Sequence, residues 1–226
     1  MEIVPEEAPL EEEEKSSAPP PYYVNRFGLH VGFDFALVSG TKICARQGWE
    51  DGFRCYDDDQ TVRTNADQQP YFSSDVSTTL IHGSTRILLS YERVLRDRIS
   101  GGIRAGIALG GAPVSFLPFH GEIYGSYWFA PFEQKGLHPY ASVGFGLAQV
   151  DAEVSVTNQI NRNDPTTAYV NYVAYKRMGK QFLKLGGGLV YDVTDSIGLQ
   201  GNLNAMIMLP STGFVLEPSL GLILGF

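Results

Sequence analysis

Along most of the chain after residue 26, in segments separated by loops, apolar side chains recur at every second position, the signature of a β-strand with one apolar face. The first segment, 27–37, sets Phe27, Leu29, Val31, Phe33, Phe35 and Leu37 against Gly28, His30, Gly32, Asp34 and Ala36. Segment 81–91 sets Ile81, Gly83, Thr85, Ile87, Leu89 and Tyr91 against His82, Ser84, Arg86, Leu88 and Ser90. The same alternation returns over 99–109, 119–129, 139–147, 183–191, 197–209 and 214–226, which predicts eight strands. Most are about ten residues or longer, whereas strands of soluble proteins usually stop near five or six and membrane-crossing strands need about 9–11.

The links between these segments alternate in length. Residues 93–98, 131–138 and 192–196 are short turns; residues 39–79 and 150–181 are long loops, with a shorter link at 110–118 and a tight one at 210–213. An even strand number with short turns at one end and longer loops at the other predicts an all-β, eight-stranded antiparallel up-and-down transmembrane β-barrel over residues 25–226.

A soluble lipocalin-like barrel has the same strand count, so the decision rests on which face points inward. The apolar face is bulky and uncharged. The other is Gly-rich, with isolated charges near mid-strand: Asp34, Arg86, Arg104, Glu122, Lys184 and Glu217. An eight-stranded barrel is only wide enough for its own side chains. Small residues beside a few long charged ones fit that space, and the Phe, Ile and Leu set overfills it. The apolar face is therefore expected to look out into lipid. Aromatic positions agree: with the termini at the short-turn end, Phe27, Tyr91, Phe129, Phe132, Tyr191 and Phe226 form one girdle, and Tyr71, Phe72, Phe119 and Phe214 the other.

Composition changes this picture in two places. Mean hydropathy is only −0.09, and no apolar run reaches the ~18 residues of a spanning helix, as expected when polar and apolar residues alternate. Charge is uneven. Residues 1–24 hold seven Glu and one Lys, so they carry −6 of the net −8 and leave −2 for the rest. That nearly neutral body has no basic excess, which argues against nucleic acid as a partner. The acidic, Pro-rich first 24 residues lack periodicity and the basic start and apolar stretch of a signal peptide. They are expected to be a disordered periplasmic tail, open to a periplasmic partner.

The pattern over 25–226 resembles the small bacterial outer-membrane barrels: the OmpA transmembrane domain, OmpX and OmpW families. The ending, Phe214 to a terminal Phe226 with alternating Leu, is similar to the signal that the barrel-assembly machinery reads in those families. The resemblance implies residence in the bacterial outer membrane, with its lipid and lipopolysaccharide as surroundings. Pro218 departs from an ideal last strand, and a bulge is expected there.

Among candidate chemical groups, Cys44 and Cys55 suit a disulfide in an exported chain. Closing a loop of that size is worth roughly 3 kcal/mol on the chain-entropy account. Asp57, Asp58 and Asp59, with Asp51 and Asn65 nearby, match no EF-hand spacing and read as a solvated acidic loop rather than a metal site. The six lumen charges are balanced and should pair, since an unpaired ion in a tight interior is costly. Strand order suggests Asp34 with Arg86, Arg104 with Glu122, Glu217 beside the first or seventh strand, and Lys184 reaching across the lumen. An enzyme would need a His–Ser pair at the outer rim. His82, Ser84 and His120 lie near there and His30 toward the other end, with no spacing that singles out catalysis; neither cofactor nor catalytic residue is expected. The long loops carry Trp49, Tyr56, Tyr169, Tyr172 and Tyr175, and residues 169–175 alternate as though the hairpin continued above the membrane as a ribbon. The expected function is a closed barrel acting as a structural or surface-interaction protein through these loops; the alternative is a narrow channel or a path for small, even apolar, solutes. Blockage is expected near Arg86, Arg104 and Glu122.

Overall fold

The computed structural model describes residues 24–43, 52–56, 74–113, 116–130, 136–159 and 169–226. They form nine strands: β1 (Asn25–Ile43), β2 (Phe53–Tyr56), β3 (Ser74–Arg96), β4 (Ile99–Leu109), β5 (Phe119–Trp128), β6 (Leu137–Gln159), β7 (Tyr169–Asp192), β8 (Ile197–Leu209) and β9 (Gly213–Gly225). All pairings are antiparallel, each long strand pairs with its sequence neighbours, and β1 pairs with β9. The sheet thus closes into a ring of eight, with β2 as an added strand on the β7 ribbon. Closure is completed at the termini, where Asn25 and Phe226 exchange backbone hydrogen bonds at 3.0 and 2.9 Å.

The side-chain alternation turns outward. Phe33 and Leu203 are 42% and 58% exposed, whereas Asp34 and Lys184 are 0% and 4% exposed. A closed sheet with its bulky apolar face outside and its ions inside is a transmembrane barrel. Phe27, Phe129, Tyr127, Tyr191 and Phe226 are exposed at the rim where Asn25 and Phe226 meet, and Tyr91 packs there against Phe27 with ring centroids 5.2 Å apart. Phe119 and Phe214 are exposed at the opposite rim. Phe132, Tyr71 and Phe72 lie outside the described residues. Phe214 on β9 and Phe226, just past its end, stand twelve residues apart. At ~3.3 Å per residue and a ~40° tilt they mark edges roughly 30 Å apart, the thickness of a bilayer core.

The structure departs from the sequence reading in four ways. First, strand reaches into both predicted long loops: β1 runs on to Ile43 and β3 begins at Ser74, while most of 150–181 is strand, β6 to Gln159 and β7 from Tyr169, the latter including the ribbon expected over 169–175. Polar side chains outside and apolar ones inside give those stretches the period of two without the greasy exterior. Second, β2 lay hidden in the first loop because four residues carry no readable period. Third, β3 has a bulge: Phe33 pairs with Thr85 but Phe35 with His82, so Gly83 and Ser84 together oppose Asp34. The extra residue reverses the alternation beyond it. His82 points out against Phe35 and Ile81 points in, opposite to the assignment made from the sequence. Fourth, there is no bulge at Pro218. The β8–β9 register runs unbroken through it, and β1–β9 keeps one register on either side of Glu217 and Pro218, where pairing is merely interrupted. A missing N–H removes a rung without adding a residue.

Candidate functional site

The interior is stacked in three layers. At the terminal end, Trp128 and Tyr140 stack with centroids 4.6 Å apart among Val190 and Ile223, and the Arg26 guanidinium lies 4.3 Å over the indole. Trp128 Nε1 donates to Ser100 Oγ at 2.8 Å, and Ser100 donates in turn to Glu92. His138 Nε2 stands 2.9 Å from Asp192 Oδ2.

The middle layer holds the six predicted charges. Arg86 Nε donates to Asp34 Oδ2 at 2.7 Å, and Ser84 Oγ, delivered by the bulge, donates to the same oxygen. Arg86 also reaches over β4 to His120. Lys184 pairs with Glu122. Arg104 lies 3.3 Å from Glu217 and 3.9 Å from Glu122. Tyr124 offers its ring to both cations, with Lys184 at 5.0 Å and Arg104 at 5.5 Å.

Two details differ from the pairing drawn from strand order. Lys184 does not cross the lumen; it leans over one strand, β6, where Gly144 leaves the gap. A Cβ at Gly144 would lie 3.1 Å from Glu122 Oε1 and 3.2 Å from Lys184 Cε. The side chain that does cross is Arg104, from β4 to Glu217 on β9 past β3 and β1. Adjacent-strand logic could not find this, because a guanidinium on a three-carbon stem spans a narrow barrel.

The third layer is apolar. Ala36, Val38, Ala148, Val150, Ala152, Met178, Phe182, Met206, Met208 and Val215 form one buried cluster, with Ile81 and Val76 packed against it. The expectation of a Gly-rich, polar interior fails here: bulky residues fill the upper lumen, each worth about 1.5–3 kcal/mol when fully buried. Above it, Ile43, Phe53, Cys55, Val156 and Ala174 make a further core between the hairpins and β2. Lys176 ties this core to β1 by donating to the Ser39 carbonyl at 2.7 Å. The 110–118 link is held from the side. Asp151 Oδ2 accepts from the Ala112 N–H at 3.3 Å and from Gln149 at 2.9 Å, while Arg177 Nε donates to Oδ1 at 3.0 Å.

Other candidates fall elsewhere. The rim His–Ser pair does not assemble: His82, next to the bulge, faces out, Ser84, within it, faces in, and His120 is bonded to Arg86 and Glu122. His30 Nε2 and Ser90 Oγ meet at 2.7 Å, both buried in the lumen. Tyr56 is buried edge-on against Tyr175, which donates to Glu153 at 3.0 Å. Burial first, then the bond to Glu153 and its charge, push the Tyr175 phenol up to about 12. Cys55 is buried in the hairpin core, while Cys44, Trp49, Asp51, Asp57, Asp58, Asp59 and Asn65 lie outside the described residues, as do the side chains of Tyr169 and Tyr172. Arg26 and Glu92 also line the lumen unforeseen. Their parity, shared with His30 and Arg86, was the available signal.

No family model and no curated protein matches the chain. Several solved structures do. Neisserial surface protein A is 13% identical at a TM-score of 0.42, with 89% of this chain and 97% of that one covered. Outer membrane protein OprG of Pseudomonas aeruginosa is 10% identical at 0.41, covering 91% and 98%. The N-terminal β-barrel domain of Pseudomonas aeruginosa OprF is 13% identical at 0.38, covering 87% and 96%. At this distance the likeness concerns architecture alone.

Proposed function

We propose that this chain is a bacterial outer-membrane barrel with a closed interior, which serves as a rigid mount for its two long hairpins and acts through them as a structural or surface-interaction protein. The observation that carries the reading is the Arg104–Glu217 ion pair across the lumen, capped by the apolar layer around Phe182 and Met206. A water path would have to part a buried ion pair and then wet a packed apolar cluster. Above the membrane, β2 and the β6–β7 ribbon share a core of their own, so the hairpins are built as a firm platform, the usual setting for recognition by loops. The exterior belt suits outer-membrane lipid and lipopolysaccharide, and the alternating apolar face of β9 suits delivery by the barrel-assembly machinery.

The test is planar-bilayer conductance of the refolded chain. The closed reading expects no steady openings in the wild type. Sustained unitary currents that vanish on neutralising Arg104 or Glu122 would favour a narrow channel and overturn it.

A further inference from the structure

The end of β3 and its turn into β4 carry three arginines, Arg93, Arg96 and Arg98, all exposed beyond or at the edge of the terminal-end girdle. No described carboxylate lies within salt-bridge distance of any of them. Arg96, Asp97, Arg98, Ile99 and Tyr127 line a shallow surface cavity of about 250 Å³ there. The chain enters the barrel at this same place. The Val24 carbonyl accepts from the Val94 N–H at 2.8 Å, Asn25 pairs with Arg93, and Tyr91 donates to the Asn25 side chain at 2.8 Å. Residues 1–24, rooted beside the arginines, carry −6, including the unbroken run Glu11, Glu12, Glu13 and Glu14.

We infer that the Arg93–Arg96–Arg98 turn is the docking surface for the acidic segment Glu2–Glu14 of the same chain. Reach is ample. Glu14 precedes Val24 by ten residues, up to ~35 Å of extended chain, whereas Arg96 sits two residues past Val94, only ~7 Å along the strand. Tethering at this range sets an effective concentration in the millimolar region. Guanidinium forks suit carboxylates, and a run of four gives several equivalent registers, so the contact is multivalent and easily re-formed. A lipid phosphate competes for the same arginines, but it brings a single charge and no tether. The consequence is a guarded tether: any periplasmic partner that takes this segment must be cationic and must displace it from the turn.

The experiment uses the full chain in phosphatidylcholine nanodiscs, with backbone amide NMR of Glu11–Glu14 compared against a free peptide of residues 1–24. Barrel amides in the same spectra report folding. The inference expects shifted, motion-restricted Glu11–Glu14 signals at low salt. It expects them to collapse onto the free-peptide positions in the Arg93→Gln/Arg96→Gln/Arg98→Gln variant, and in 1 M salt, where the Debye length falls to about 3 Å. Exchanging the charges, Glu11–Glu14 to Lys with the three arginines to Glu, should restore the restriction. Wild-type signals that already coincide with the free peptide would overturn it. So would Glu11–Glu14 signals unmoved by the arginine variant. Arginine Nε–H signals that respond to added phosphatidylglycerol while the acidic segment stays free would make the turn a lipid-headgroup site instead.

Discussion

The lower and upper parts of this barrel obey opposite rules on the same strands. Between the girdles, β7 shows Leu183, Leu185 and Leu189 outside and buries Lys184. About ten residues back on the same strand, Ala174 and Met178 are buried while Arg177 and Tyr175 look out. The backbone does not change character; the solvent does. Below, hydrocarbon rewards apolar side chains outside, and the narrow interior accepts ions only as matched sets. Above, water restores the globular arrangement.

The contrast can be broken most severely in the lower half. Glu122→Gln leaves Lys184 and Arg104 sharing Glu217. It should cost about 3–5 kcal/mol, read by denaturant unfolding in lipid vesicles, and Lys184→Met in the same chain should recover most of it. A single variant as stable as wild type would mean that the charges do not rely on one another. Next, Leu203→Arg places a charge in mid-bilayer and should cost about 2–4 kcal/mol. Ser155→Arg, on the outward face above the belt, should stay within ~0.5 kcal/mol. Equal costs at the two positions would erase the boundary. Gly144→Val tests the gap under the Lys184–Glu122 bridge; overpacking there should cost roughly 1–3 kcal/mol. The smallest effect lies above the membrane. In a spectrophotometric titration the Tyr175 phenol should ionise near 12, and Glu153→Gln should move it back toward 10. A phenol held neutral by the fold stabilises most below pH 10, and its share fades as pH climbs through 12.

Much of the barrel was legible because lipid enforces a strict period. The exposed set Phe27 to Phe33 and the buried set Asp34, Arg104 and Lys184 follow directly from alternation. What escaped were features that alternation cannot encode. The bulge at Gly83 and Ser84 shifts the phase by one residue with no local marker beyond a glycine. The strand continuations above the belt alternate too, but polar-out, so apart from the ribbon over 169–175 they read as loops. Ion-pair partners depend on side-chain reach across a curved interior, as with Arg104 and Glu217. The arginine turn was visible as charge, but its nearness to the acidic segment appears only once β1 and β3 are paired.

The most direct test of the two-rule barrel is a spin-label scan along β7 from Val173 to Tyr191, reading collisions with oxygen and with a water-soluble nickel chelate. The account predicts oxygen-dominated collisions at positions 183, 185 and 189, chelate-dominated collisions at 175 and 177, and few of either kind at 174, 178, 182 and 184. Oxygen-dominated collisions at 182 and 184, or chelate access at 184 through the lumen, would contradict it.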